Sequence, residues 1–316
     1  MTFVLCDAPD ALAAAASRVA SATGIPMAHV EKDFWVTEVL RGVARHSAET
    51  GVSAVFKGGT SLSKAFGLLR RFSEDIDIII MVPGESVGKA DACLKSFVAA
   101  AEAATGLTSD VDPTTATKGV KRTVTLSYPT AAPPSALSQG VRLELGARGG
   151  TMPMVQRSVT SLLVQHGSQT GLEVSFAEAV PFTMHVLAPV RTLVEKLMIV
   201  HHAAVAGDAA EQARLARHYY DVWCLLHDAD TVAALSETPV DVLEREVVTF
   251  TEAAELRTSR RPPGGFSTSA AFDPVAASPA RLAFETIVLA QLVWPDAPHP
   301  TFEECCETVR RHASVL

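Results

Sequence analysis

Cysteine is scarce in this 316-residue chain, with five residues, Cys6, Cys93, Cys224, Cys305 and Cys306, and no Cys-x-x-Cys pair among them. An odd count without that spacing argues against both a disulfide framework and a zinc ribbon, and the five are expected to be reduced core thiols. Positive charge is in deficit. The chain carries 27 Lys and Arg against 35 Asp and Glu, a formal net charge of −8, which disfavours nonspecific binding to nucleic acid because phosphate contacts need lysine and arginine. Local basic surfaces remain open: Arg70-Arg71, Lys118-Lys121-Arg122, Arg257 with Arg260-Arg261, and Arg310-Arg311, each of which also reads as an ordinary solvated face. No apolar run is long enough to span a membrane. The alanine-rich stretch Ala11 to Ala20 is broken by Ser17 and Arg18 and has no basic leader, so it is not read as a signal peptide and a cytoplasmic protein is expected. No internal repeat is evident, and no Gly-x-Gly-x-x-Gly opens a helix, which speaks against a Rossmann dinucleotide site.

What the chain does have is concentrated between Val55 and Met81, VFKGGTSLSKAFGLLRRFSEDIDIIIM. A short apolar run, Ala54 to Phe56, leads into Gly58-Gly59, a helix-forming segment Ser61 to Leu69, and then Ser73-Glu74-Asp75-Ile76-Asp77 running into Ile78-Ile79-Ile80. Asp75 and Asp77 are two apart on an extended segment, so both leave one face of a strand while Ile76, Ile78 and Ile80 leave the other. Adjacent carboxylates repel, and a cation between them relieves that repulsion. Magnesium, hard and oxygen-seeking, is the natural choice beside phosphates. The glycines let backbone N–H groups approach an anion closely. A phosphate loop of the Walker type does not fit, because Ser63 stands at its second glycine and Ala65 where a hydroxyl must follow Lys64. Taken singly, a Gly-Gly is usually a plain turn and an Asp-x-Asp a solvated surface; the combination at this spacing is far more specific.

Lys57-Gly58-Gly59-Thr60 followed by Ser73-Glu74-Asp75-Ile76-Asp77 resembles the AbiEii nucleotidyltransferase toxin family, which includes the mycobacterial MenT toxins and belongs to the DNA polymerase β-like nucleotidyltransferase superfamily. The resemblance covers roughly residues 28 to 230. It implies that Lys57, Gly58, Gly59, Thr60 and Ser61 hold a nucleoside triphosphate and that Asp75 and Asp77, with a third acid, hold two Mg2+ ions, with Mn2+ as a substitute. Val141-Arg142-Leu143-Glu144-Leu145 alternates, placing Glu144 opposite Leu143 and Leu145. Glu144 then reads either as a surface glutamate on an edge strand or, as the resemblance implies, as the third acid. Arg191-Thr192-Leu193-Val194-Glu195-Lys196-Leu197 and Arg217-His218-Tyr219-Tyr220-Asp221-Val222-Trp223 resemble two downstream family motifs. These imply that Lys196 meets the phosphates and that Asp221 orients that lysine or a reacting hydroxyl. The plainer readings are a helical ion pair for Lys196 and a partner for Arg217, four residues earlier, for Asp221.

The remaining pattern is mostly helical. Helices are expected over 8–22 and from Met27 to Ala44, with Val30, Phe34, Val36, Val39, Leu40 and Val43 as the buried stripe of the second. Its charged residues, Glu31, Lys32, Asp33 and Glu38, are expected on a surface or in structural pairs. Ser86 to Thr105 is apolar at helical spacing. Strand-like runs follow at Val120 to Tyr128, Val141 to Gly146 and, with interruptions, Leu172 to Leu187, the first two separated by a proline-rich hairpin loop, Pro129 to Gly140. From Pro189 the period changes to that of helices: Val190 to Ala206, Glu211 to His227, Val240 to Glu255, Pro279 to Val293 and Thr301 to Ala313. An exposed loop, Ser259 to Pro274, interrupts them. His201, His202, His218 and His227 match no metal signature and read as satisfied helical histidines.

The expected fold is therefore α+β, a polymerase β-like nucleotidyltransferase sheet domain over 1–187 with N-terminal helices, then a helical domain over 188–316 closing the active-site cleft. The expected activity is that of a magnesium-dependent nucleotidyltransferase moving a nucleoside monophosphate from an NTP to an acceptor hydroxyl. By resemblance the acceptor is the 3′ end of tRNA, the consequence is blocked translation, and a cognate antitoxin is a partner. A monomer is favoured. Modification of protein hydroxyls, or a catalytically silent nucleotide-binding interaction module, are the alternatives. Ser73, two residues before Asp75, is a further candidate, since a phosphate there would set about −1.5 to −2 charges beside the carboxylates.

Overall fold

The computed structural model describes residues 3–73, 75–82, 86–133, 137–147, 149–170, 176–253 and 258–316. Glu74, the start of the Leu172 to Leu187 run, the middle of the proline-rich loop, the last two residues of the Val240 to Glu255 helix and Arg257 lie outside them. The chain falls into two compact units. The first takes residues 1–66, 72–148 and 154–186, and the second takes 67–71, 149–153 and 187–316.

In chain order the first unit holds α1 (Pro9–Thr23), α2 (Met27–Thr50), β1 (Ala54–Lys57), α3 (Gly58–Lys64), β2 (Asp75–Ile80), α4 (Val87–Thr105), β3 (Thr108–Val111), β4 (Lys121–Ser127), β5 (Val141–Gly146), β6 (Met154–Val159), two single turns α5 (Leu162–Gln165) and α6 (Gly167–Thr170), and β7 (Phe182–Leu187). The seven strands form one mixed sheet in the order β3-β4-β5-β2-β1-β7-β6. β2 lies between antiparallel β1 and parallel β5, and β5 is antiparallel to β4.

The hydrophobic pattern explains which face is covered. Ile76, Ile78, Ile80, Val124, Leu126, Leu143 and Leu145 are all at most 1% exposed, each fully buried branched side chain contributing roughly 1.5–3 kcal/mol. α2 packs against α4 so closely that a Cβ on Gly42 would sit 2.8 Å from the Ala100 carbonyl oxygen and from Ala104 Cβ; glycine is what permits the approach. α2 runs on to Thr50, past the expected Ala44, because Arg45 to Thr50 contains no residue that breaks a helix and Gly51 ends it in the left-handed conformation.

Of the two placements expected for the charged residues early in α2, a surface or structural pairs, Glu31, Lys32 and Glu38 take the second, while Arg45 and Glu49 further on are exposed. Glu31, Lys32 and Glu38 are all buried, and burial is tolerated because each is paired. Glu31 accepts from the Thr130 hydroxyl at 2.5 Å and the Ala131 N–H at 3.0 Å. Lys32 donates to the Ser138 carbonyl at 2.8 Å and hydroxyl at 3.1 Å. Two consecutive charges thus strap both ends of the loop between β4 and β5.

The second unit holds α7 (Pro189–Ala206), α8 (Ala209–Arg214), α9 (Arg217–His227), α10 (Ala229–Glu237), α11 (Val240–Ala253), α12 (Ser278–Ala283), a π-helical stretch Phe284–Leu292, and α13 (Phe302–Arg311). The single helix expected from Glu211 to His227 is two. Burial of Leu215 and Ala216 at the junction overrides a sequence with no breaker in it. The helix expected from Pro279 widens into the π form after Ala283. β3, β6 and α10 were not anticipated, the last despite Asp228, which caps it by accepting from the Thr231 N–H. All five cysteines are free; Cys305 and Cys306 are buried, while Cys6, Cys93 and Cys224 are only half-buried. Among the described residues no helix is long and apolar enough to cross a membrane.

Candidate active site

The carboxylates emerge from the middle of the sheet. β2 register sets Asp77 beside Lys57 on β1 and Glu144 on β5, and Asp75 beside Arg142. Cross-strand neighbours share a face, so Lys57, Asp75, Asp77, Arg142 and Glu144 all leave the sheet on the side opposite Ile76, Ile78 and Leu143. Glu144 is not on an edge strand, since β5 is flanked by both β2 and β4.

Gly58 follows Lys57 directly with φ +80°, and a Cβ there would lie 2.5 Å from Asp77 Oδ2. Both the backbone angle and the space demand glycine. The expected turn is already the first residue of α3, which starts earlier and ends earlier, at Lys64, than the sequence pattern indicated. Thr60 and Ser61 are buried. The Thr60 hydroxyl donates to the Asp75 carbonyl at 2.5 Å and lies 2.9 Å from the Ser73 hydroxyl, while Ser61 donates to the Gly58 carbonyl at 2.9 Å. These hydroxyls fix the loop and the entry to β2, leaving the main chain of 58–61 as the part able to meet an anion. Ser73 is half-buried at that entry. At the other end of α3, Lys64 Nζ is 2.5 Å from Asp33 Oδ1, and Asp33 Oδ2 accepts from the Leu162 N–H at 2.7 Å.

Glu144 carries two cations. Lys121 Nζ lies 2.6 Å from one oxygen and Arg142 Nε 2.9 Å from the other. Partial burial would raise its pKa, but Lys121 and Arg142 together hold it below the ordinary glutamate value. The donor set can be weighed on these contacts. Asp75 and Asp77 supply hard oxygens on one face beside a glycine that leaves the Asp77 carboxylate room, and that suits a divalent ion completing its shell with water and substrate phosphate. Glu144 fits a metal only by exchanging its cations, and among the described residues no three His, Cys, Asp or Glu side chains are gathered tightly enough to hold one.

The second unit contains a different cluster. Asp221, fully buried, takes Arg71 in a two-pronged pair, Nε to Oδ1 at 2.6 Å and Nη2 to Oδ2 at 2.7 Å. Lys196 Nζ also reaches Asp221 Oδ2 at 2.6 Å and lies 3.2 Å from His218 Nδ1. Burial acts against the Asp221 charge, yet Arg71 and Lys196 hold the carboxyl well below the usual range. Burial, then the neighbouring Lys196 charge, push His218 down to about 3, so its imidazole is neutral. Lys196 itself is lowered, first by burial. The partner of Asp221 is therefore Arg71 rather than Arg217 alone on a helix, and Arg71 is 2% exposed, not a solvated basic face. Arg70, beside it, pairs with Asp296 at the surface. The other three histidines weighed as a cluster with His218 are hydrogen-bonded elsewhere: His201 to Ser269, His202 to Ser259 and His227 to the Trp223 carbonyl.

Sequence reasoning had not singled out Arg71, His218 or Arg142 as members of these clusters. Only the alternation Arg142-Leu143-Glu144 offered a signal, since it puts arginine and glutamate on one face.

Among solved structures, JHP933 from Helicobacter pylori matches with 15% identity, covering 87% of this chain and 88% of that one, at a TM-score of 0.45. The nucleotidyltransferase toxin MenT4 from Mycobacterium tuberculosis matches with 16% identity over 95% and 98% of the two chains, at 0.39. No curated protein matches. The decisive likeness is one of sequence pattern: the family model described as nucleotidyl transferase AbiEii toxin, type IV toxin–antitoxin system, matches residues 43–305. The chain belongs to the AbiEii family of nucleotidyltransferase toxins.

Proposed function

We propose that the protein transfers a nucleoside monophosphate from a nucleoside triphosphate to a hydroxyl at the 3′ end of tRNA, releasing pyrophosphate and blocking translation, with a cognate antitoxin as its counterpart. The observation that carries the reading is the apposition of Gly58 to the Asp77 carboxylate. It brings the glycine motif and the acidic strand, separated in sequence, to one place on the sheet.

In the reaction the acceptor oxygen bonds to the α-phosphorus as the α–β bridging oxygen departs with pyrophosphate. Asp75 and Asp77 would hold magnesium, with manganese as a substitute, and bound metal supplies charge neutralisation and a more acidic acceptor hydroxyl. The main chain of 58–61 meets the triphosphate, and Lys57, beside Asp77 in register, adds positive charge where pyrophosphate leaves. Asp221 orients Lys196 and favours its charged form against the burial that disfavours it, which is the part this buried pair plays in the reading.

The test is incubation with magnesium, each labelled nucleoside triphosphate in turn, and total tRNA or total protein. Label in tRNA is expected, and label confined to protein would replace the acceptor. Asp75→Ala and Asp77→Ala should each abolish labelling while their metal-free unfolding midpoints match or exceed the parent's, because a carboxylate repulsion is removed. Normal turnover in both variants would end the metal assignment.

A further inference from the structure

Strand order divides the carboxylate face into two flanks. β1 and the glycine motif that follows it lie on one side of β2, and β5 and β4 lie on the other. Phosphoryl transfer is in line, so the attacking and leaving oxygens reach phosphorus from opposite sides. With pyrophosphate on the glycine flank, the acceptor comes over β5.

That flank is furnished with cations. Arg142 neighbours Asp75 in register, and Lys121 extends from β4 on the same face as Glu144, since Lys121, Thr123 and Thr125 alternate outward opposite Gly146, Glu144 and Arg142. Glu144 carries one negative charge between two positive ones, and the longer contact from Arg142 Nη1 to Asp112, 3.7 Å, is weak. The two cationic side chains remain 41% and 35% exposed. Lysine has three donors and arginine five; Glu144 engages one of each. Beneath them Thr123, fully buried opposite Glu144, has a hydroxyl with no hydrogen-bond partner among the described residues.

Resting on the nucleotidyltransferase reading above, we infer that Lys121 and Arg142, held in place by Glu144, form a ledge that grips the phosphodiester backbone at the 3′ end of the acceptor RNA. Glu144 is then a positioning residue for the ledge. It keeps two like charges side by side while no RNA is present and sets the guanidinium plane for a two-pronged phosphate contact. The acidic chain thus needs no broad basic surface. A local pair beside the reacting atoms fixes the strand end, and contacts of this kind position a nucleic acid without reading its bases.

The experiment is an anisotropy titration of a fluorescein-labelled single-stranded RNA ending in a 3′-hydroxyl, with magnesium, over a series of salt concentrations, alongside binding of a nucleoside triphosphate. Lys121→Ala/Arg142→Ala should weaken RNA binding at least about tenfold and flatten the log–log salt dependence by about 1.4, the value for two lost single-strand phosphate contacts. Triphosphate affinity should stay unchanged, and the thermal midpoint, read in parallel, checks that the fold is intact. Glu144→Gln should tighten RNA binding without magnesium, because the cations lose their carboxylate; a glutamate serving purely as a metal ligand would leave metal-free binding where it was. Loss of triphosphate affinity with RNA binding intact would assign the ledge to the donor and overturn the inference, as would unchanged RNA binding in the double variant. Wild-type protein that neither binds nor labels RNA would overturn the acceptor reading together with the ledge, whereas labelled RNA with an indifferent double variant overturns the ledge alone.

Discussion

In the sheet unit Glu144 sits between Lys121 and Arg142, and in the helical unit Asp221 sits between Lys196 and Arg71, the same three kinds of charge at nearly the same distances. What differs is water. The side chains of the first trio are 41, 20 and 35% exposed, and those of the second 5, 0 and 1% in the same order. In solvent each partner can trade its contact for hydration or for a substrate phosphate at small cost. Out of solvent, no partner can leave without stranding another. One trio is thus free to exchange partners and the other holds a fixed arrangement.

The comparison breaks hardest at Asp221. Asp221→Ala leaves two cations buried together, and a loss of about 3–5 kcal/mol is expected in urea unfolding. Lys196→Ala leaves the two-pronged Arg71 pair intact, so its loss should be clearly smaller, about 1–3 kcal/mol. Equal midpoints for the two variants would mean that Arg71 contributes nothing to the cluster.

Acidity tests the same cluster through His218. Its folded pKa of about 3 lies below the ordinary histidine value near 6.5. Between those values the unfolded chain binds a proton that the folded one does not, so stability must fall as pH is lowered through that window. The expected contribution is about 1.4 kcal/mol per pH unit at full development. Asp221, held low, adds a second loss of the same sign only once pH drops below the unfolded carboxylate value. His218→Asn should flatten the dependence between about pH 6 and pH 4, measured by denaturant midpoints at each pH, and an unaltered slope would show that the histidine titrates elsewhere in the ensemble. The smallest effect belongs to the surface. Removing the Arg70 pair by Asp296→Ala should shift stability by less than about 1 kcal/mol, and a shift as large as that of Lys196→Ala would erase the distinction between solvated and buried charge.

Much of the carboxylate face could be read from the chain itself. Alternation placed Asp75 with Asp77, and Glu144 opposite Leu143, because strand geometry has a period of two and needs no partner to be recognised. The glycine motif carried its meaning in spacing. The partners of Asp221 could not be read this way. Arg71 lies 150 residues away, and nothing in Arg70-Arg71 distinguishes the one that is buried from the one that faces water. For the same reason the sequence left Glu31, Lys32 and Glu38 open between a surface and structural pairs; the pairs are what the structure shows, and their partners Thr130, Ser138 and Arg41 had no signal in the chain. The break between α8 and α9 likewise follows from burial of Leu215 and Ala216, a packing event with no local signature.

The parallel pairing of β2 with β5 also bears on how the chain reaches its folded state. Antiparallel neighbours can close through a tight turn, but β2 must wait until α4, β3 and β4 have been traversed before Arg142 and Glu144 come alongside Asp75 and Asp77. Long-range pairing of this kind forms slowly. Meanwhile Ile76, Ile78, Ile79 and Ile80 make up a strand rich enough in branched apolar residues to pair with the wrong chain. Asp75 and Asp77, set at its leading end, act as charged gatekeepers against that association. The two carboxylates proposed to gather metal in the finished protein thus also put charge on the strand's leading end during the interval before its sheet neighbours arrive.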